Sequence, residues 1–408
     1  MLNKTLQLYK SSFSGFSREV WLLSLVMLIN RSGTMVIPFL SVYLTQVKGY
    51  TLIQAGWVLT FFGAGSVLGS YIGGKLTDSI GYYKVQFWSL FGAGLSFIML
   101  GYAENIFSIC LIVFLASTIA DAFRPANLAA IAAYSQKENR TRAIALIRMA
   151  INLGWAVGPA VGGFLAAKLG YGWLFWVDGL TCISAAFFFW FSLKEKEKTS
   201  TDEARSEEQA TNIASAWKDH TYLLFLLFTL INGIAFMQLF TAFPVFLKQE
   251  VALNENIIGQ LMAMNGLLIA IIEMPLIFVL ERRFKSWQAI GVGTLLIGLS
   301  FVVFNFFGNS GGIAVISMLL MTVGEMLSLP FIATMALGFS NEKNRGQYMA
   351  LFSMAYSLAH IAAPNVGMQI AGRYGFFELW WVILILCILA ALGFRMMRER
   401  EKETSVLV

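Results

Sequence analysis

Apolar residues run along this chain in long blocks separated by short polar breaks. Six blocks, near 21–44, 53–72, 85–103, 106–130, 143–168 and 173–193, are each long enough for a helix to cross the roughly 30 Å of bilayer hydrocarbon, which takes about 20 residues. Six more follow near 221–247, 257–280, 287–308, 312–338, 346–371 and 377–397. The pattern predicts an all-α membrane protein with twelve transmembrane helices, called spans 1 to 12 below. Between spans 6 and 7 lies the one long polar segment, Lys194 to Asp219, whose alternating charges and small polar residues read as a cytoplasmic linker. The expected organisation is a six-helix bundle over residues 1–193, a linker over 194–219 and a second six-helix bundle over 220–408.

The halves repeat one another. NRTRAIALIRMAINLGWAVGPAVGGFLAAKLGYGWLFW begins at Asn139, and NRGQYMALFSMAYSLAHIAAPNVGMQIAGRYGFFELWW begins 205 residues later, at Asn344. In register, Arg140 meets Arg345, Met149 meets Met354, Pro159 meets Pro364, Gly162 meets Gly367 and Gly170 meets Gly375. Fainter matches pair Gly56 with Gly259, Asp78 with Glu281 and Pro125 with Pro330. Repeated, pseudo-symmetric membrane halves are a common way to build a transporter with a site near the bilayer midplane.

Composition excludes a water-soluble protein, since 58% of residues are hydrophobic and 13% charged, where a soluble domain has roughly a quarter charged. The net charge of +6 reports topology. With both termini in the cytoplasm, the interior side collects Lys4, Lys10, Arg18, Lys75, Lys84, Lys137, Arg140, Arg142, Arg282, Arg283, Lys285, Lys343, Arg345 and the tail from Arg395. The other side keeps Lys48, Lys168, Lys248 and Arg373, as the positive-inside rule requires. No soluble basic domain is present to bind nucleic acid. Cys110, Cys182 and Cys387 fall inside spans without ligand spacing, so neither a disulfide framework nor a metal site is expected. No nucleophile with a positioned base and no phosphate loop is visible, so neither an enzyme nor a cofactor is expected. The polar opening leads straight into a full-length span and reads as uncleaved. The expected setting is a cell membrane, the bacterial cytoplasmic (inner) membrane.

After span 2 the chain reads GGKLTDSIGYYK, with Gly74, Asp78, Gly81 and Lys84. This resembles the signature loop of the major facilitator superfamily, although Ser79, Tyr82 and Tyr83 stand where basic residues are usual. Span 5 carries GWAVGPAVGG, with Gly154, Gly158, Pro159, Gly162 and Gly163, and resembles the signature associated with antiporters of that superfamily. The resemblance implies two pseudo-symmetric bundles that rock about a central site, with Gly74, Asp78, Gly81 and the span 5 residues serving the conformational switch. On the residues alone, the span 5 glycines equally suit close helix packing, and Asp78 a helix cap at the membrane surface.

Ionisable residues inside spans carry more information, because a charge in hydrocarbon costs at least about 2.5–3.5 kcal/mol and usually faces a cavity or a partner. At 1.5 Å per residue, Arg31 lies about 15 Å into span 1 and Glu325 about 18 Å into span 10. Asp121 and Arg124 in span 4, three residues apart, can share a helix face. Arg148 enters span 5 about 8 Å from its end, and Glu273 sits late in span 8. The resemblance implies that spans 1, 4, 7 and 10 line the cavity. The substrate-cavity candidates are then Arg31, Asn30, Tyr43, Arg124, Asn127, Arg148, Asn232, Gln238 and His360, although a lone His360 more often serves packing. Glu325 is the first candidate to carry a proton, with Asp121 and Glu273 behind it. The Asp121–Arg124 pair suits a gate at the cytoplasmic mouth as well as a coupling site.

These readings converge on a proton-coupled secondary transporter working by alternating access, its partners being a small-molecule substrate, protons and the surrounding lipid, and one copy sufficing. Span 5 points to an antiporter exporting small amphipathic compounds. The alternatives are a proton-driven uptake symporter, because INLG at Ile151–Gly154 and RSGTMVIPFLSVYL loosely resemble proton-dependent oligopeptide transporters, and a lipid carrier.

Overall fold

A computed structural model of the chain describes residues 15–135, 140–195, 216–280, 284–340 and 345–397. Both terminal tails, most of the 194–219 linker, and Glu281, Arg282 and Arg283 lie outside the described residues.

Helices occupy all twelve predicted segments. Span 1 is two helices, α1 (Arg18–Ser32) and α2 (Val36–Val42), the second continuing as a π turn over Tyr43–Val47. Then come α3 (Leu52–Ile80), α4 (Tyr82–Leu100), the interrupted span 4 as α5 (Ile106–Asp121) and α6 (Phe123–Tyr134), α7 (Arg140–Lys168) and α8 (Gly172–Ser192). The second half has span 7 as α9 (His220–Met237) and α10 (Ala242–Gln249), then α11 (Glu255–Leu280), α12 (Ser286–Phe307), α13 (Gly311–Gly338), α14 (Arg345–Tyr374) and α15 (Phe376–Met396). Among the described residues, ten helical segments are long and apolar enough to cross a membrane. The other two, α4 and α14, have 19 and 30 residues and carry more polar positions, such as Lys84 and Gln86 or Gln347, Asn365 and Gln369.

Helix starts follow from the residues placed there. Side-chain oxygens of Ser17, Asn105, Asp219 and Ser310 accept N–H groups of the first turns of α1, α5, α9 and α13, which those turns otherwise leave unpaired. The repeat is visible in the turns as well. Its paired Gly170 and Gly375 both have positive φ, 92° and 106°, a conformation that favours glycine.

Lipid offers no hydrophobic drive between helices, so close packing of small residues has to hold them together. Along α3, Gly65, Gly69 and Gly73 form one stripe, and a Cβ on them would come within 2.1–2.4 Å of Ser117, Thr118 and Ala122 in span 4. At Gly94 and Gly179, α4 and α8 meet backbone to backbone, and at Gly293 and Gly324, α12 and α13 do the same. Cys182 and Cys387 take matching places 205 residues apart, against Gly94 and Gly298. Each fills a helix crossing.

The chain divides into two compact units, Met1–Val36 with Gly65–Lys198 and Ile37–Ala64 with Thr199–Val408. The division differs from a simple cut into halves because Gly56 and Gly63 let the start of α3 lie on α14. A Cβ on them would stand 2.7 Å from the Met368 Cβ and 2.6 Å from the His360 carbonyl oxygen. Each unit has its own core, around Leu23, Tyr82, Tyr134 and Phe189 in the first and around Tyr222, Phe225, Ile332 and Phe394 in the second.

Candidate functional site

In the first unit the polar groups gather at the interruption of span 1. The chain leaves α1 at Ser32 and re-enters a helix at Val36. Gly33 permits the close passage, since a Cβ there would stand 1.7 Å from the Thr181 Oγ1 of α8. A restarted helix has N–H groups without intrahelical partners, and in hydrocarbon each unpaired group costs several kcal/mol. Asp178 of α8 supplies the acceptor. Its Oδ2 takes the N–H groups of both Met35 and Val36 at 3.0 Å, and the residue is only 2% exposed. Pro38, in the first turn of α2, has no N–H to satisfy.

The α7 helix closes the other side of the interruption. A Cβ on Gly154 would stand 2.4 Å from the Arg31 Cβ, and one on Gly158 would stand 2.7 Å from the Thr34 carbonyl oxygen. Two glycines of the antiporter-like motif therefore let α7 press on the broken backbone, and Pro159, Gly162 and Gly163 are buried in the same stretch.

Arg31 lies just before the interruption, within electrostatic reach of Asp121, Asp178 and Arg124. Its buried Nε has no hydrogen-bond partner among the described residues. Asn30 donates to the Cys182 Sγ at 3.4 Å, and that thiol faces the Asp178 Oδ1 at 3.8 Å. Asp121 and Arg124 share a helix face as expected and form an ion pair at 2.7 Å, with side chains 10% and 52% exposed. Asn127 is buried and accepts a hydrogen bond from Gln86 at 3.3 Å, whereas Arg148 is exposed on α7. In the signature loop, Gly74 has open space around it and Asp78 is exposed, while Gly81 makes the turn between α3 and α4 with φ of 90°. The tight contact belongs to Gly73.

The second unit holds a separate group. On α13, Glu325 accepts a hydrogen bond at 3.2 Å from the Nδ2 of Asn265 on α11, which also donates to the Thr322 Oγ1 at 3.1 Å. Glu273 and Tyr356 lie within electrostatic reach of Glu325. Two of the three proton-carrying candidates thus stand together, with Asp121 in the other unit. No ion pair to Glu325 occurs among the described residues.

Span 7 is also interrupted, and Gln238 sits at the interruption. Its Nε2 donates to the carbonyl oxygens of Ile234 and Ala363, at 3.1 and 3.0 Å, and its Oε1 accepts from Thr241 at 3.3 Å. Asn232 is fully buried and donates to Thr294 of α12 at 2.8 Å. Tyr43 is buried at the start of the π turn, with the Lys48 ammonium 5.9 Å from its ring centre. His360 is half-buried on α14.

Sequence reasoning did not single out Asp178, Asn265, Thr322 or Tyr356. For Asp178 the signal was available, a carboxylate inside a span; the others are neutral and do not stand out among polar residues in helices.

Comparison with known proteins places this geometry. The family profile described as Major Facilitator Superfamily matches residues 20–364 and 226–407. The chain is 22% identical to the MFS-type transporter YqjV of Bacillus subtilis (strain 168), over 94% of this chain and 95% of that one. It is 24% identical to a Na(+), Li(+), K(+)/H(+) antiporter of Planococcus maritimus, over 90% and 91%. Among solved structures it shares its fold with a POT family transporter in complex with 5-aminolevulinic acid, at a TM-score of 0.78 and 12% identity over 96% and 98% of the two chains. A D-xylose-proton symporter follows with a TM-score of 0.71 and 15% identity over 92% and 96%. A repeated helical chain of this composition, matched by one family profile over most of its length, is a multi-pass membrane transporter and no enzyme: it belongs to the major facilitator superfamily.

Proposed function

We propose that the chain is a proton-coupled antiporter that works by alternating access and exports small amphipathic molecules. The observation that carries the coupling is Glu325, a carboxylate midway along α13 whose hydrogen-bond partner is the neutral Asn265 amide. A carboxylate inside a membrane needs compensation, and with no cation paired to it among the described residues, a proton can provide it. The repeat supports the same reading, because the counterpart of Glu325 is Ala120, so packing common to both halves does not demand an acid there. The antiport direction is supported by the span 5 motif and by the relative named as a cation/H(+) antiporter. That name also adds monovalent cations to the substrates worth testing.

The opposite direction, proton-driven uptake, is favoured by one observation: the buried Arg31 Nε is free to meet an anionic group of a substrate. Transport by the purified chain in sealed vesicles with an imposed proton gradient decides between them, using ethidium, a dipeptide, D-xylose, sodium and potassium as probes. Export of ethidium or a cation driven by inward protons is expected. In that assay Glu325→Gln, which keeps the shape and removes the titrating group, should abolish accumulation against a gradient while leaving exchange down the substrate's own gradient. Proton-dependent uphill transport by Glu325→Gln would move the role to Asp121 or Glu273.

A further inference from the structure

We propose that Asp178 is a positioning residue for Arg31: by accepting the two N–H groups at the restart of span 1, it fixes the geometry of the interruption and so the place of the Arg31 guanidinium.

Four observations meet at this carboxylate. With one oxygen it takes the N–H groups of Met35 and Val36 at the restart, at equal distances of 3.0 Å. Its other oxygen faces the Cys182 thiol, which in turn receives the Asn30 amide, so a chain of polar contacts returns to the residue next to Arg31. The interruption is gripped from both sides, by α8 at Gly33 and by α7 at Gly154 and Gly158. The last argument comes from the other unit, where the interruption of span 7 is held by the neutral Gln238. An interruption at this depth does not in itself require a charge. What distinguishes the first unit is the cation five residues before the restart, since Arg31 favours a negative group within its electrostatic reach.

The charged groups facing Asp178 are Arg31 on α1 and, through it, Asp121 and Arg124 at the junction of α5 and α6. Were Asp178 replaced by a residue without an acceptor, the Met35 and Val36 amides would have to turn toward another partner. The chain between Ser32 and Val36 would turn with them, and Arg31 lies on its N-terminal side.

The test uses no transport substrate, so it stands or falls separately from the proposed direction of transport. Hydrogen exchange on the detergent-purified full chain should show the wild-type Met35 and Val36 amides slowed at least about 100-fold relative to unstructured chain. Asp178→Ala should speed them at least about tenfold, the effect of one lost buried hydrogen bond. Asp178→Asn, whose amide oxygen can accept the same two N–H groups, should restore most of the protection. In parallel, Arg31→Cys reports where that position stands. Its labelling by a charged methanethiosulfonate reagent should change about fivefold when Asp178→Ala is added, and little when Asp178→Asn is added. Unprotected Met35 and Val36 amides in the wild-type chain would overturn the proposal whatever the variants do. It is equally overturned if Asp178→Ala leaves exchange and labelling unchanged, or if Asp178→Asn, which keeps the hydrogen bonds, fails to fold.

Discussion

Span 1 and span 7 are interrupted at matching positions of the repeat, at Gly33–Met35 and at Gln238–Thr241. In the first, the partner is a carboxylate reaching over from a neighbouring helix, and the backbone packs against Gly154 and Gly158 of α7 on one side and, through its own Gly33, against Thr181 of α8 on the other. In the second, the partner is an amide on the broken helix itself, reaching out to the Ala363 carbonyl of α14. The repeat preserves the place where backbone groups lose their helical partners. It leaves open which side chain answers them, and only one unit answers with a charge.

The largest effect should come from crowding the charged interruption. Gly158→Leu drives a side chain into the Thr34 and Arg31 carbonyl oxygens, 2.7 and 3.2 Å from its Cβ position. Overpacking of this kind costs about 1–3 kcal/mol or more, and transport in vesicles should fall below about a tenth of wild type while the protein still reaches the membrane. Its counterpart in α14 is Ala363, which already carries a methyl group, so Ala363→Gly should have a much smaller effect. Wild-type kinetics in Gly158→Leu would mean that the two interruptions differ in composition but not in tightness.

A smaller effect is expected at the neutral interruption. Gln238→Ala leaves the Ile234 and Ala363 carbonyls without its amide, while the Thr241 hydroxyl keeps the Met237 carbonyl. A lost buried partner costs about 1–3 kcal/mol, read as a fall of several degrees in the melting temperature of the purified protein. Gln238→Glu sharpens the contrast. If Glu is tolerated as well as Gln, the absence of charge in the second unit is accidental. Smallest of all should be Arg124→Gln, because a pair with one half-exposed member contributes under about 1 kcal/mol. Thermal unfolding should barely move, and a large change in transport with unchanged stability would assign the Asp121–Arg124 pair to gating.

Much of this was legible in the sequence because lipid imposes a long-range rule: twelve apolar blocks and a 205-residue repeat are readable without any contact being known. Residues named for the site divide according to whether local spacing decides their fate. Asp121 and Arg124, three apart on one helix, pair as their spacing predicts. Gly154 and Gly158 do serve close packing, but their partner, the broken segment of span 1, could not be named. Pro38 and Pro244 follow the two interruptions by a few residues and are the local sign of a break upstream, but they say neither at which residue the helix stops nor what packs against the break. Asp178 stood out only as a carboxylate inside a span, and its role exists only once a backbone 142 and 143 residues away in sequence turns its N–H groups toward it. At the signature loop the close packing is made by Gly73, next to the motif's Gly74, which has open space around it.

The glycine crossings have a mechanical consequence. Where Gly94 meets Gly179 and Gly293 meets Gly324, main chain touches main chain, with side chains such as Ile98, Cys182 and Ile297 packed at the flanks. A joint centred on main chain has little slack through which to slide, so it resists a change of register. The pairs α4 with α8 and α12 with α13 are therefore expected to travel as single pieces. That lowers the number of independently moving parts in each unit, and it confines whatever bending accompanies transport to helices that lack such a joint or are already cut.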